Sequence, residues 1–161
     1  LIATALALGA ATVAAWSVAV AEPAPAPHTT YEIVGQMSPK ALYLLRCSGC
    51  HRADGAGAAE AGVPPFPGSI GALAADDEGR TYIMHVPGVR GAGLSDAQTA
   101  AVMNYILDVW AKDRAAAAGP FTAEEVARRR AVEVRDVVAF RRAMVKRLAK
   151  SGVTLGEYPW P

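Results

Sequence analysis

Arg46-Cys47-Ser48-Gly49-Cys50-His51 holds the only two cysteines of the chain, spaced three apart and followed at once by a histidine. Four chemistries use such a spacing. A disulfide between Cys47 and Cys50 closes so small a loop that it stabilises little. A thioredoxin-like redox pair belongs in alternating strands and helices, and no strand pattern surrounds this one. A structural zinc site needs four ligands. Cys47, Cys50 and His51 supply three, and the other histidines, His28 and His85, stand in no ligand motif. Covalent haem attachment needs nothing more than the motif holds. On one helical turn the two sulfurs face the same way and suit thioether bonds to the two vinyl groups of a haem, and His51 suits the proximal iron ligand. The expected cofactor is one haem c.

Composition agrees with a domain that needs a cofactor. The chain has 161 residues, 52% of them apolar, but many are alanine and only 7% are aromatic. Alanine removes little area from water, so the protein core is thin for its size, and a large apolar group supplies what is missing. The net charge of +1 gives no reason to expect a nucleic-acid partner. Its distribution is uneven: residues 31–118 carry seven basic and nine acidic side chains, residues 119–161 nine and five.

The spacing of apolar residues predicts an all-α chain. Residues 1–21 are uncharged and long enough to cross a bilayer, with Trp16 near one end. They read as a transmembrane anchor or as a secretory signal ending at Ala19-Val20-Ala21. Either reading places the rest in a periplasm-like compartment, where covalent haem is attached. Residues 22–30 are a proline-rich linker. Ser38-Pro39 opens a helix that runs into Cys47. Asp54–Gly71 reads as loop, Asp77–Val86 as a short helix, and Gly88–Gly93 as a glycine-spaced loop. Ser95 and Gln98 form a capping box for a helix through Trp110, and Thr122 with Glu125 forms another.

Over about Ser38–Trp110 the chain resembles class I c-type cytochromes. Three stretches carry the resemblance: CSGCH after a leucine-rich helix, Gly62-Val63-Pro64-Pro65-Phe66-Pro67-Gly68 as the family's proline loop, and Leu94–Leu107 as its closing helix. The resemblance implies a cytochrome c domain over 31–118. In it Pro64 offers its carbonyl to the proximal His51, and Tyr105 packs the closing helix on the N-terminal one. It also implies single-electron transfer rather than catalysis.

The family's distal methionine has no counterpart in the loop Pro87–Gly93. Met84 is the nearest thioether and His85 the alternative; the remaining options are another residue or an open sixth position. An open iron would favour peroxide reduction or gas binding instead. Arg52, Arg80 and Arg90 are candidate partners for haem propionates. The basic extension 119–161 reads as a solvated helical hairpin packed on the domain, as a docking arm for a redox partner protein or membrane complex, or as a membrane-surface element. A mainly structural subunit, with the haem incidental, is a further reading.

Overall fold

The computed structural model describes residues 35–111 and 119–155. The expected anchor 1–21 and linker 22–30 lie outside the described residues. Among the described residues every regular element is helical, and the sole extended pairing is an isolated bridge between Ala58 and Val63. No described helix is long and apolar enough to cross a membrane.

The helices are α1 (Pro39–Arg46), α2 (Ser48–His51), α3 (Ile70–Ala74), α4 (Asp77–His85), α5 (Pro87–Arg90), α6 (Asp96–Trp110), α7 (Ala123–Arg130) and α8 (Val137–Lys150). Local chemistry starts most of them. The Ser38 hydroxyl accepts the Ala41 N–H at 3.2 Å, with Pro39 in the first turn of α1. Both halves of the Ser95–Gln98 capping box are formed, at 3.2 and 3.0 Å. Asp76 caps α4, and Asp136 caps α8 through two N–H groups. Thr122 caps α7 as expected, but Glu125 does not complete the box, because its carboxylate is engaged elsewhere.

Two loop expectations need correction. Pro87–Arg90 is a helical turn: Pro87 has its φ set for helix, and Gly91 N–H donates to the Pro87 carbonyl at 2.8 Å. Ile70 starts a short helix, α3, that the small side chains around it conceal. Its turn into α4 is tight. A Cβ on Gly79 would lie 2.2 Å from the Leu73 carbonyl oxygen, so only glycine lets α3 and α4 meet there.

α1 packs on α6 through aromatic side chains. Tyr43 is fully buried, with its ring 5.7 Å from Tyr105 and 5.0 Å from Trp110. The Tyr105 contact is the one the resemblance implied.

The C-terminal hairpin is not an appendage. α7 packs against α6 and α4, and α8 packs against α4. Phe121, Val126, Met144 and Leu148 are buried with the rest of the core. Arg80 joins the two parts. It is 7% exposed, and its Nε and Nη2 donate to the two Glu125 carboxylate oxygens at 2.6 and 2.5 Å. Nη1 and Nη2 reach the carbonyls of Ala74, Gly119 and Pro120, and the Phe121 ring lies 3.7 Å from the guanidinium carbon. Around this centre Arg129 binds Asp77, Thr81 and Glu125, Arg130 binds Asp96 and Thr99, and Arg147 binds Asp76 and Glu78. These arginines bind acidic side chains of residues 76–96.

Hydrogen bonds from Arg80, joined by those from Arg129, hold the Glu125 carboxyl down to about 2 from an ordinary 4.5, against the upward push of burial. Removing one partner of such a pair leaves a charge without compensation. Glu125→Gln is expected to cost about 3 kcal/mol in urea unfolding at pH 7. A depressed carboxylate stabilises the fold above its unfolded pKa, and that contribution is lost as pH falls from about 4.5 through about 2. The wild-type midpoint should therefore fall over that window more steeply than that of Glu125→Gln.

Candidate functional site

Tyr43 begins the construction of the site. Its carbonyl accepts the Cys47 N–H at 2.8 Å, and its hydroxyl donates to the Arg52 carbonyl at 2.5 Å. Burial pushes this phenol up to about 12, so it remains a donor at neutral pH. Between these anchors the chain makes one turn. Cys50 and His51 donate their N–H groups to the Cys47 carbonyl at 3.2 and 2.9 Å, and the Ser48 hydroxyl donates to Leu44. Arg52, at φ 60°, is the one non-glycine residue at positive φ among those described. This is where the chain leaves the turn, next to the Tyr43 clamp.

The loop then folds back beneath His51. Gly57 N–H donates to the His51 carbonyl at 3.1 Å, and Phe66 N–H donates to Gly55 at 2.9 Å. The Phe66 ring stacks on the His51 imidazole, with centroids 4.1 Å apart and planes 15° from parallel. Gly57 sits at φ +70°, and a Cβ there would come within 2.5 Å of the Val63 oxygen and 2.7 Å of the Pro64 oxygen. The missing side chain is what lets the proline loop close.

His51 Nδ1 is buried and makes no hydrogen bond of normal geometry. The Pro64 carbonyl acts on the ring, raising its proton affinity, while burial lowers it by more. The net direction is down, so His51 is a neutral imidazole at pH 7, the form that ligates a metal.

Cys47 and Cys50 lie on the same turn as His51. Cys50 is exposed, Cys47 half-buried, and both are free thiols. Burial, with Cys50 adding to it, pushes the Cys47 thiol up. A nucleophilic redox pair requires the opposite shift. Among the described residues no group of three or more His, Cys, Asp or Glu side chains is placed to hold a metal ion, so no zinc cluster forms around the turn. An exposed and a half-buried thiol on one turn with an imidazole stacked on Phe66 fit the attachment of a haem.

The candidate distal ligands are placed differently. Asp77, Arg80, Thr81 and His85 all bond to the C-terminal hairpin or its lead-in. Met84 follows Arg80 by one turn and Thr81 by three residues, so it belongs to this same face of α4. It has no exposed surface. His85 is 5% exposed, and its Nδ1 and Nε2 each lie 2.9 Å from a carbonyl oxygen, that of Thr81 and that of Val132. Both nitrogens thus have backbone partners that would compete with a metal for them. Arg80 is likewise committed to Glu125 and is not a propionate partner. Arg52 and Arg90 are exposed. The sequence contained one sign of the Arg80 arrangement: a lone charge in the otherwise uncharged run Arg80–Val89.

No protein-family model matches this chain, and no curated protein matches it.

Gly57→Ala combines a strained φ with two carbonyl clashes. We expect a loss of about 2 kcal/mol of stability, read by thermal melting, and an altered His51 ring environment, read from its imidazole NMR signals. Gly49→Ala, which meets nothing within 4 Å, is the control and should melt close to wild type.

Proposed function

We propose that this protein is a mono-haem c-type cytochrome with a class I-like domain, carrying single electrons on the periplasmic side of a membrane. One observation carries the reading: Cys47, Cys50 and His51 share one turn, with the Phe66 ring stacked on the His51 imidazole. Cys47 and Cys50 hold the haem c through thioethers, and His51 is the proximal ligand. Pro64 and Phe66 fix the imidazole's plane, and Gly57 keeps the proline loop in place. When bound, the haem supplies a one-electron couple whose potential the protein tunes through axial ligation and burial.

The uncharged segment 1–21 supports membrane tethering, and the low net charge gives no support to nucleic acid as a partner. The partner is another redox protein or membrane complex. Much of the basic hairpin is committed to the domain itself, which narrows the surface it offers for docking. The exposed remainder includes Arg128, Arg142, Lys146 and Lys150.

Expression with a cytochrome c maturation system should give a protein that keeps its haem through denaturing electrophoresis and shows a reversible one-electron reduction. The double variant Cys47→Ser/Cys50→Ser should lose all denaturation-resistant haem. A wild-type chain that matures without covalent haem would overturn the proposal.

A further inference from the structure

We infer that α4 presents neither Met84 nor His85 to a haem held by the Cys47–His51 turn, and that the sixth position there accepts a small neutral diatomic ligand. The inference rests on the proposed attachment of haem and goes beyond electron carriage to a binding site.

It begins with what α4 does with its side chains. The helix is fixed in rotation by several bonds to the hairpin and its lead-in. Asp77 and Thr81 bind Arg129, Arg80 binds Glu125, and His85 faces Val132. Met84 lies on the face these residues define. Bringing its sulfur elsewhere means rotating α4, which breaks the Arg80–Glu125 pair in a largely water-free setting. His85 is held at both ring nitrogens. A ligand switch to either residue therefore costs several buried polar contacts at once.

The remaining described methionines are also occupied. Met103 is 3% exposed within α6, and Met144 is fully buried in α8. Met37 is partly buried against the core beside the start of α1. Segment 86–95 brings Val86, Val89 and Leu94 as its larger apolar side chains and contains no methionine, histidine or lysine. Val86 and Val89 pack against the core, and Leu94 is buried. Segment 86–95 thus offers no thioether where the family usually has one, and its larger side chains are aliphatic groups that cannot donate to iron. An apolar setting of this kind suits a small neutral ligand such as carbon monoxide better than a charged one.

The test uses the full chain matured with haem, and carbon monoxide as the probe. The dithionite-reduced protein should be high-spin and should convert completely to the carbon monoxide form, with a clear Soret shift. Met84→Leu, a swap of similar volume, should give the same oxidised and reduced spectra and the same shift. A reduced wild-type protein that is low-spin and indifferent to carbon monoxide overturns the inference. If Met84→Leu then gains carbon monoxide binding, Met84 is the ligand. If it does not, another side chain is. Either result leaves the attachment of haem standing, whereas a chain without covalent haem overturns the proposed function itself.

Discussion

A guanidinium buried among helices must find acceptors for its donors, and the way Arg80 finds them organises much of this molecule. Its carboxylate partner comes from α7, its carbonyls from the end of α3 and the lead-in to α7, and its apolar cover from Phe121. An alanine-rich core gains little from hydrophobic burial alone. A buried ion pair does not rival that burial in net energy, but it is intolerant of any other arrangement, because a displaced partner leaves an uncompensated charge. Arg80 thereby fixes both the seat of the hairpin and the rotation of α4. That rotation in turn decides which side chains of α4 are available for chemistry and which are spent on structure.

The attachment turn depends on a separate set of contacts. Tyr43 ties the start of the turn to its exit, Phe66 stacks on the imidazole, and Trp110 closes the aromatic cluster over Phe66 and Tyr43. These contacts link the first helix, the proline loop and the closing helix. Among the described residues, Tyr43, Phe66, Tyr105 and Trp110 form one aromatic cluster beside the imidazole. A ring stacked on Phe66 has few orientations left, which would suit the proximal role proposed for it.

How much of this was legible in the sequence varied with the range of the interaction. Helix starts at Ser38, Ser95 and Thr122 were legible because a cap acts across three residues. The attachment turn was legible because its chemistry lies within five. The Tyr105 contact followed from the resemblance. The hairpin was not settled: its arginines alternate with apolar residues in a way that fits a solvated helix, a docking arm or a packed one equally well. Only the position of Asp76, Asp77, Glu78 and Asp96 in space distinguishes these. Glu125 shows the limit sharply. Its spacing from Thr122 is that of a capping box, yet a buried guanidinium 45 residues earlier is the stronger claimant for its carboxylate. Met84 and His85 were chosen by nearness in sequence to the family's ligand position, and that nearness says nothing about which face of α4 meets the hairpin.

The two centres meet on the closing helix. α6 carries Tyr105 and Trp110 toward α1 and the attachment turn, and it carries Asn104 toward Phe121, whose N–H and carbonyl Asn104 binds at 2.7 and 3.0 Å. Asn104 and Tyr105 are consecutive, so they point to different sides of one helix and join different halves of the structure. Damage to the hairpin can reach His51 through α6, a well-capped helix of 15 residues, and through α3, where the Ser69 and Ile70 N–H groups bond the Phe66 carbonyl and the Ala74 carbonyl accepts from Arg80. The turn that carries His51 and the seat of α7 and α8 are therefore connected along two routes.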